Sequence, residues 1–292
     1  MKIFNPKIDY LAKFLKYGVP KIKNGKFGIR YILYPESALD RHIRKYGIFQ
    51  DFMTTRAKEL LPQDSIIFDI GANVGLMTLP FAVLAAPKGK VYAFEPDFPV
   101  AARLQVNVDI NYLQNAHVIP KVVQDNPNLK EITLYRRRAI DGDNLVNEGL
   151  SSTAKIPLHT ILGYTVMCTT IDAFVKEQKI ERVNLIKIDV EGTEIKVLRG
   201  GERCIDQNRP IIIYEYSAII DELSRSDNSA KSFEFLKGRG YIQFEIFNER
   251  QLKKINEPDA SIKSSNIIAF PQERINAYRL WINNVLGGYE KI

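Results

Sequence analysis

Short, nearly continuous apolar runs punctuate the chain at "SIIFDI" (65–70), "KVYAFE" (90–95), "AHVIPKVV" (116–123), "VNLIKIDV" (183–190) and "PIIIYEYS" (210–217). Unbroken Ile, Val and Phe, rather than strict alternation, predicts strands buried on both faces. Between these runs, residues 76–86, 98–113, 171–179, 193–207 and 229–239 carry apolar residues at helical spacing. Strands and helices alternating at these lengths predict βαβ units and a parallel sheet covered on both sides, a doubly wound α/β fold. "YIQFEIF" (241–247) and "NIIAF" (266–270) add two closing strands, for about seven in all, mostly parallel. Residues 37–62 read as helices ending at Pro62. One long irregular stretch, 136–165, interrupts the pattern, and a stretch of that length in a compact domain is usually functional. Its flanks "EITLY" (131–135) and "TVMCTT" (165–170) are expected to pair as an antiparallel flap.

The turn after the first strand reads Asp69-x-Gly71-x-Asn73-x-Gly75. A dinucleotide fold needs a middle glycine here so that the backbone can approach a pyrophosphate, and this turn lacks it. No Gly-Lys-Ser/Thr phosphate loop is present either. A ligand without phosphate fits better, and S-adenosylmethionine is such a ligand. Asp69 would pair with its ammonium, directly or through water. The N–H groups of Gly71, Ala72, Asn73 and Gly75, opening a helix, would meet its carboxylate. Glu95 ends the next strand, where a carboxylate can accept both ribose hydroxyls, and Pro96 and Asp97 continue that rim. The plainer alternative is that the glycines serve turn and packing while Asp69 caps the following helix.

"LIKIDVEGTEIKVLRGG" (185–201), preceded by "TTIDAF" (169–174) and followed by "RPIIIYE" (209–215), resembles the FkbM family of S-adenosylmethionine-dependent methyltransferases. "DIGANVG", "VYAFEP" and "LQVNVDIN" (104–111) are similar to the same family in the same order, and the likeness covers roughly residues 45–271. The resemblance implies the class I methyltransferase fold with an antiparallel last strand. It also implies methyl transfer to a hydroxyl of a sugar, a glycoconjugate or a secondary metabolite. Such a hydroxyl is a poor nucleophile until a base takes its proton. Lys187, Asp189 and Glu191 alternate along one strand and share a face near its tip, and Glu215 ends the neighbouring strand. Asp189 or Glu191 is expected to be the base and acceptor anchor, with Lys187 as a positioning cation. The competing reading makes Lys187 and Asp189 a buried pair and Glu191 a helix cap. Oxygen ligands at two strand ends would also suit a divalent cation, but no metal is assigned.

Composition narrows the class without changing it. Of 292 residues, 45% are hydrophobic and 26% charged, ordinary for a globular protein with a real core. No apolar run approaches the roughly 18 residues that span a bilayer, and no signal peptide is evident. Cys168 and Cys204 lack metal or CxxC spacing and read as reduced thiols. These features favour a cytoplasmic protein. The first 30 residues hold eight basic residues against one acidic, the same +7 as the whole chain. Residues 1–35 therefore read as a basic arm, 36–271 as the methyltransferase domain, and 272–292 as an amphipathic C-terminal helix. The arm suits packing on the domain or a peripheral contact between residues 1–30 and an anionic membrane or glycolipid. The neutral body gives no matching stripe for nucleic acid. The expected partner is a small-molecule or glycan acceptor.

Overall fold

The computed structural model describes residues 20–34, 38–47, 56, 58–137, 151–154, 160–247 and 251–285. At its centre lies an eight-stranded sheet. Five strands form its parallel half: β3 (Ile66–Ile70), β4 (Lys90–Phe94), β5 (Ala116–Ile119), β10 (Leu185–Ile188) and β11 (Ile211–Tyr216). The antiparallel half is made by β12 (Tyr241–Phe247), β13 (Gln251–Ile255) and β14 (Ser265–Pro271). The order is β13-β12-β14-β11-β10-β3-β4-β5, with β14 antiparallel to both of its neighbours. This is the doubly wound α/β fold expected from the hydrophobic pattern. Strand β13 adds an eighth member that the pattern does not show, because "QLKKI" carries two lysines and lies at the sheet edge.

Consecutive strand residues divide between the two faces. Ile67, Val91, Ile211 and Ile213 join a core on one side, with Leu79 and Phe81 of α2 (Thr78–Ala85) and Leu104 of α3 (Phe98–Ile110). Phe68, Phe94, Ile186, Ile188, Ile212 and Tyr214 join the other, with Phe174 of α4 (Ile171–Glu177). Each such side chain, removed from water, contributes about 1.5–3 kcal/mol. Two expected elements are broken, each for a local reason. The run 116–123 splits at Pro120, which has no N–H for the ladder. Its second half, β6 (Val122–Val123), leaves the main sheet and pairs with β9 (Thr160–Thr169). The helix expected over 193–207 is two helices, α5 (Glu194–Gly200) and α6 (Glu202–Asn208). At the break, a Cβ on Gly200 would overlap the Gln124 carbonyl oxygen, so the glycine permits close approach of two backbones.

The expected flap is present. β7 (Glu131–Arg137) pairs antiparallel with β9, Glu131 opposite Met167 and Arg136 opposite Leu162, and with the short β8 (Ser151–Ser152). Within the segment expected to be a basic arm, β1 (Lys21–Asn24) and β2 (Arg30–Leu33) form a hairpin. Ile29, Tyr31 and Leu33 are buried in the core. Asn107 of α3 and Asn111, which caps its end, accept the Ile32 and Arg30 N–H groups at 2.9 and 2.7 Å. The Asp40 carboxylate, on α1 (Ala38–Tyr46), meets Arg103 at 2.6 Å in a buried ion pair behind the hairpin. The amphipathic helix expected near residues 1–19 lies outside the described residues. At the other end α9 (Ile275–Val285) buries Trp281, Ile282 and Val285 on the same core, while Leu286 lies outside the described residues. Helices α7 (Ala218–Ser224) and α8 (Asn228–Lys237) complete the layer beyond β11. Among the described residues, no helix is long and apolar enough to cross a membrane.

Candidate active site

A cavity opens at the carboxyl ends of β3, β4 and β10, the edge where open α/β sheets bind ligands. Gly71, Ala72 and Asn73 form its floor, Glu95 and Pro96 one wall, and Lys187, Asp189 and Glu191 the opposite wall. Leu134, Ser151 and Ser152 of the flap line it from a third side. Gly71 has a φ of +80°, and a Cβ there would overlap the Asp189 carbonyl oxygen. Only glycine lets the β3 turn and the β10 tip come this close.

The β4 wall is tightly bonded. Glu95 accepts the Asn73 N–H on Oε2 and the Asp97 N–H on Oε1, both at 2.9 Å. Burial pushes its carboxyl up to about 8 against those two donors. Asp97 turns away from the cavity and binds Arg136 of the flap in a two-pronged pair, 2.7 Å to Nε and 2.6 Å to Nη2. The Ser151 hydroxyl donates to the same carboxylate at 3.1 Å. Ser152 donates to the Glu191 carbonyl at 2.9 Å, so the two residues of β8 fasten the flap to opposite walls.

Across the cavity the charges are less evenly matched. Lys187, only 4% exposed, reaches Asp189 Oδ2 at 3.2 Å, Asp69 Oδ1 at 3.5 Å and the Gly71 carbonyl at 3.2 Å. Burial alone would lower the pKa of its ammonium, but Asp189 and Asp69 outweigh that and hold it above the ordinary lysine value. Asp189, Glu191 and Glu215 bring carboxylate oxygens within 4.8 Å of one another. Oxygen donors so placed are of the kind that hold Mg²⁺, Mn²⁺ or Ca²⁺. Glu215 receives one hydrogen bond, from Ser264 at 3.0 Å, and its Oε2 is buried without a partner. Burial first, then Asp189 and Glu191, raise its pKa well above the usual carboxylate range. Behind this wall Glu194 accepts the Val190 and Gly192 N–H groups at 3.1 and 3.2 Å. Burial, reinforced by Glu215, pushes its carboxyl up to about 8.

Of the residues singled out in the sequence, Gly71, Ala72, Asn73, Glu95, Pro96, Lys187, Asp189 and Glu191 come together around the cavity. Others take different parts. Asp69 lies behind the floor, fully buried, accepting the Thr78 hydroxyl at 2.6 Å and pairing with Lys187. Placed one residue before the strand end, it does not line the cavity. The N–H groups expected for a ligand carboxylate are already engaged. Gly71 and Ala72 donate to the Phe94 carbonyl, Asn73 to Glu95, Val74 to the Asn73 side chain and Gly75 to the Ala72 carbonyl. Gly75 instead makes room for the Leu104 side chain. Asp97 is the flap's anchor. Lys187 and Asp189 do form the ion pair of the competing reading, with the lysine buried and the Asp189 side chain 28% exposed, while Glu194 rather than Glu191 accepts the N–H groups of the turn that leads into α5. Arg136 and Glu194 join the site without having been singled out, since no spacing in the sequence links them to the strand ends.

The family model described as "Methyltransferase FkbM domain" matches residues 69–242, the span that contains both walls and the flap. The chain belongs to the FkbM methyltransferase family. S-adenosylmethionine, expected from the sequence, is the cofactor in keeping with that membership. The 31-O-demethyl-FK506 methyltransferase FkbM of Streptomyces tacrolimicus is 27% identical over 195 residues, covering 60% of this chain and 70% of that one. The hexuronic acid methyltransferase AglP of Haloferax volcanii is 29% identical over 160 residues, covering 54% and 59%. The AMB antimetabolite synthetase AmbE of Pseudomonas aeruginosa is 28% identical over 179 residues, 52% of this chain and 8% of AmbE. The chain thus spans less than two thirds of AglP and a small part of AmbE.

Proposed function

We propose that this FkbM-family protein is an S-adenosylmethionine-dependent O-methyltransferase acting on a hydroxyl of a sugar, a glycoconjugate or a secondary metabolite. The observation that carries this reading is the unequal wall at β10 and β11. Three carboxylates converge there beside one lysine that is already paired with Asp189 and Asp69. The relatives whose names specify an acceptor support the same class, a hexuronic acid for AglP and a demethylated FK506 for FkbM.

The residues fit the cofactor at its ribose end. Each Glu95 oxygen receives one backbone N–H, and in the ionised form each keeps a further lone pair for a hydroxyl. Bound there, S-adenosylmethionine would supply an activated methyl group. The remaining work falls on the acceptor. Burial, with Asp189 and Glu191 close by, raises the pKa of Glu215 well above the usual carboxylate range, which marks this wall as one where carboxylates crowd. Asp189, oriented by Lys187, takes the hydroxyl proton, and Glu191 anchors the acceptor; exchanged roles are the alternative. Such a base is worth about 10²–10⁴-fold in rate. The flap excludes water, which protects the methyl group from hydrolysis.

Incubation with methyl-labelled S-adenosylmethionine and fractionated sugars, glycans and small metabolites tests the proposal. Label recovered in an O-methyl ether supports it. Label found only on nitrogen, on nucleic acid, or nowhere despite cofactor binding overturns it.

A further inference from the structure

The β1–β2 hairpin has a second face that the core does not use. All four residues of β1, Lys21, Ile22, Lys23 and Asn24, are exposed, Ile22 by 58%. At the turn, Phe27 is 43% exposed and sits at a φ of +58°, a region that asparagine or glycine occupies at less cost. Two more aromatic rings stand beside that turn. Tyr46, 53% exposed, precedes Gly47, whose carbonyl accepts the Lys26 N–H at 2.7 Å. Tyr112, 82% exposed, has the Arg30 guanidinium 5.6 Å from its ring. Lys45 lies 4.8 Å from the Tyr46 ring. Among the described residues the neighbouring acids are few. Asp40 is buried against Arg103, and Asp109 accepts from Gln105 on α3. Exposed rings interleaved with lysine and arginine match the interfacial zone of a bilayer, where aromatic groups insert at headgroup level and cations meet anionic lipid.

The patch also has a definite place in the fold. Helix α3 starts beside Glu95 at the cavity rim and ends before β5, so Tyr112 lies at the opposite edge of the sheet. Docking through this end leaves the cavity open.

We infer that the hairpin end, through Lys21, Lys23, Phe27, Tyr46 and Tyr112, docks the protein on an anionic lipid surface with its cavity facing away from the membrane. Aromatic side chains add the apolar part that a salt-sensitive charge contact alone lacks. Duplex nucleic acid would need the charge and not the rings, so the aromatic residues favour lipid.

Co-sedimentation of the full chain with vesicles of phosphatidylcholine, with and without phosphatidylserine, tests this, scored against salt and against a competing DNA duplex. Binding should require phosphatidylserine and fall steeply between about 0.05 and 0.5 M salt, on the order expected from screening. The double variant Lys21→Glu, Lys23→Glu should lower the partition at least tenfold. Phe27→Asn with Tyr112→Ser should lower it while keeping the salt dependence. All variants should retain the wild-type affinity for S-adenosylhomocysteine, measured by calorimetry, which shows that they fold and keeps this test separate from the enzymatic proposal. Failure of the wild type to bind anionic vesicles at low salt overturns the inference. So does a charge-reversed protein that binds like the wild type, or displacement from vesicles by DNA with no effect of the aromatic pair.

Discussion

The two walls of the cavity are built from the same residue types and pair their charges differently. At β4, each carboxylate has its own donors: Glu95 two backbone N–H groups, Asp97 a guanidinium and a hydroxyl. At β10 and β11, one lysine serves Asp69 and Asp189, and Glu215 keeps a buried oxygen without a partner. A wall whose polar groups are satisfied holds its shape and is suited to binding. A wall with crowded carboxylates holds them poised for proton exchange, the environment in which acid and base pKa values separate. Under the proposed function, the contrast is expected to place binding on one side and chemistry on the other.

The largest effect should come from the β10 wall. Asp189→Asn keeps the shape but cannot take a proton, and turnover is expected to fall about 10²–10⁴-fold. Cofactor affinity should stay within tenfold of wild type. Glu191→Gln should cost less and act mostly on acceptor KM; reversed sizes exchange the two roles. If both variants turn over like wild type and remain folded by circular dichroism, the contrast between the walls has no chemical content.

The flap latch comes next. Asp97 is 1% exposed, so Arg136→Ala strands a buried carboxylate, an uncompensated charge of the kind that costs about 3–5 kcal/mol. Urea titration should show a loss of that order, reduced if water enters beneath the loosened flap. On the binding wall, Glu95→Ala should weaken S-adenosylhomocysteine at least tenfold, about 1.4 kcal/mol, with kcat less affected than KM for the cofactor. A fall in kcat alone would move Glu95 to the chemical side.

The last effect is electrostatic. Burial raises Glu194 to about 8, so between its unfolded pKa near 4.5 and that value the native state holds a proton that the unfolded chain has released. Stability from this group is therefore complete below pH 4.5 and is lost as the pH rises through 8. Glu194→Gln keeps an acceptor for the Val190 and Gly192 N–H groups and removes that slope. The drop in Tm between about pH 5 and pH 9 should shrink by about 2–4 °C for each 1 kcal/mol recovered. An unchanged slope would place the proton elsewhere in the wall.

Much of this architecture is legible along the chain, and the limits have physical causes. Continuous apolar runs reveal the strands because burial on both faces leaves no room for polar residues. Alternation puts Lys187 and Asp189 on one side of the β10 tip, but the strand ends at Ile188, and Glu191, at a φ of +60°, reaches the cavity from the turn that follows. The edge strand β13 escapes the hydrophobic pattern because part of it faces solvent and carries lysines. The hairpin β1–β2 escapes it because the charge of its exposed strand masks the buried Ile29, Tyr31 and Leu33. The helix break at Gly200 depends on the backbone at Gln124, 76 positions earlier, which no local pattern shows.

Short-range periodicity and spacing were thus enough for the doubly wound sheet, the glycine turn at its first strand and the strand ends that carry carboxylates, while the resemblance of whole motifs pointed to the family. The partners of those residues are a matter of the folded chain. Folding turns Asp69 under the floor to Thr78 and Lys187, gives Asp97 to Arg136, and engages the N–H groups of the glycine turn with Phe94 and Glu95. A residue's type sets which bonds it can make. Burial then compels it to make them with whatever donor or acceptor the fold brings within reach, and that choice is written in three dimensions.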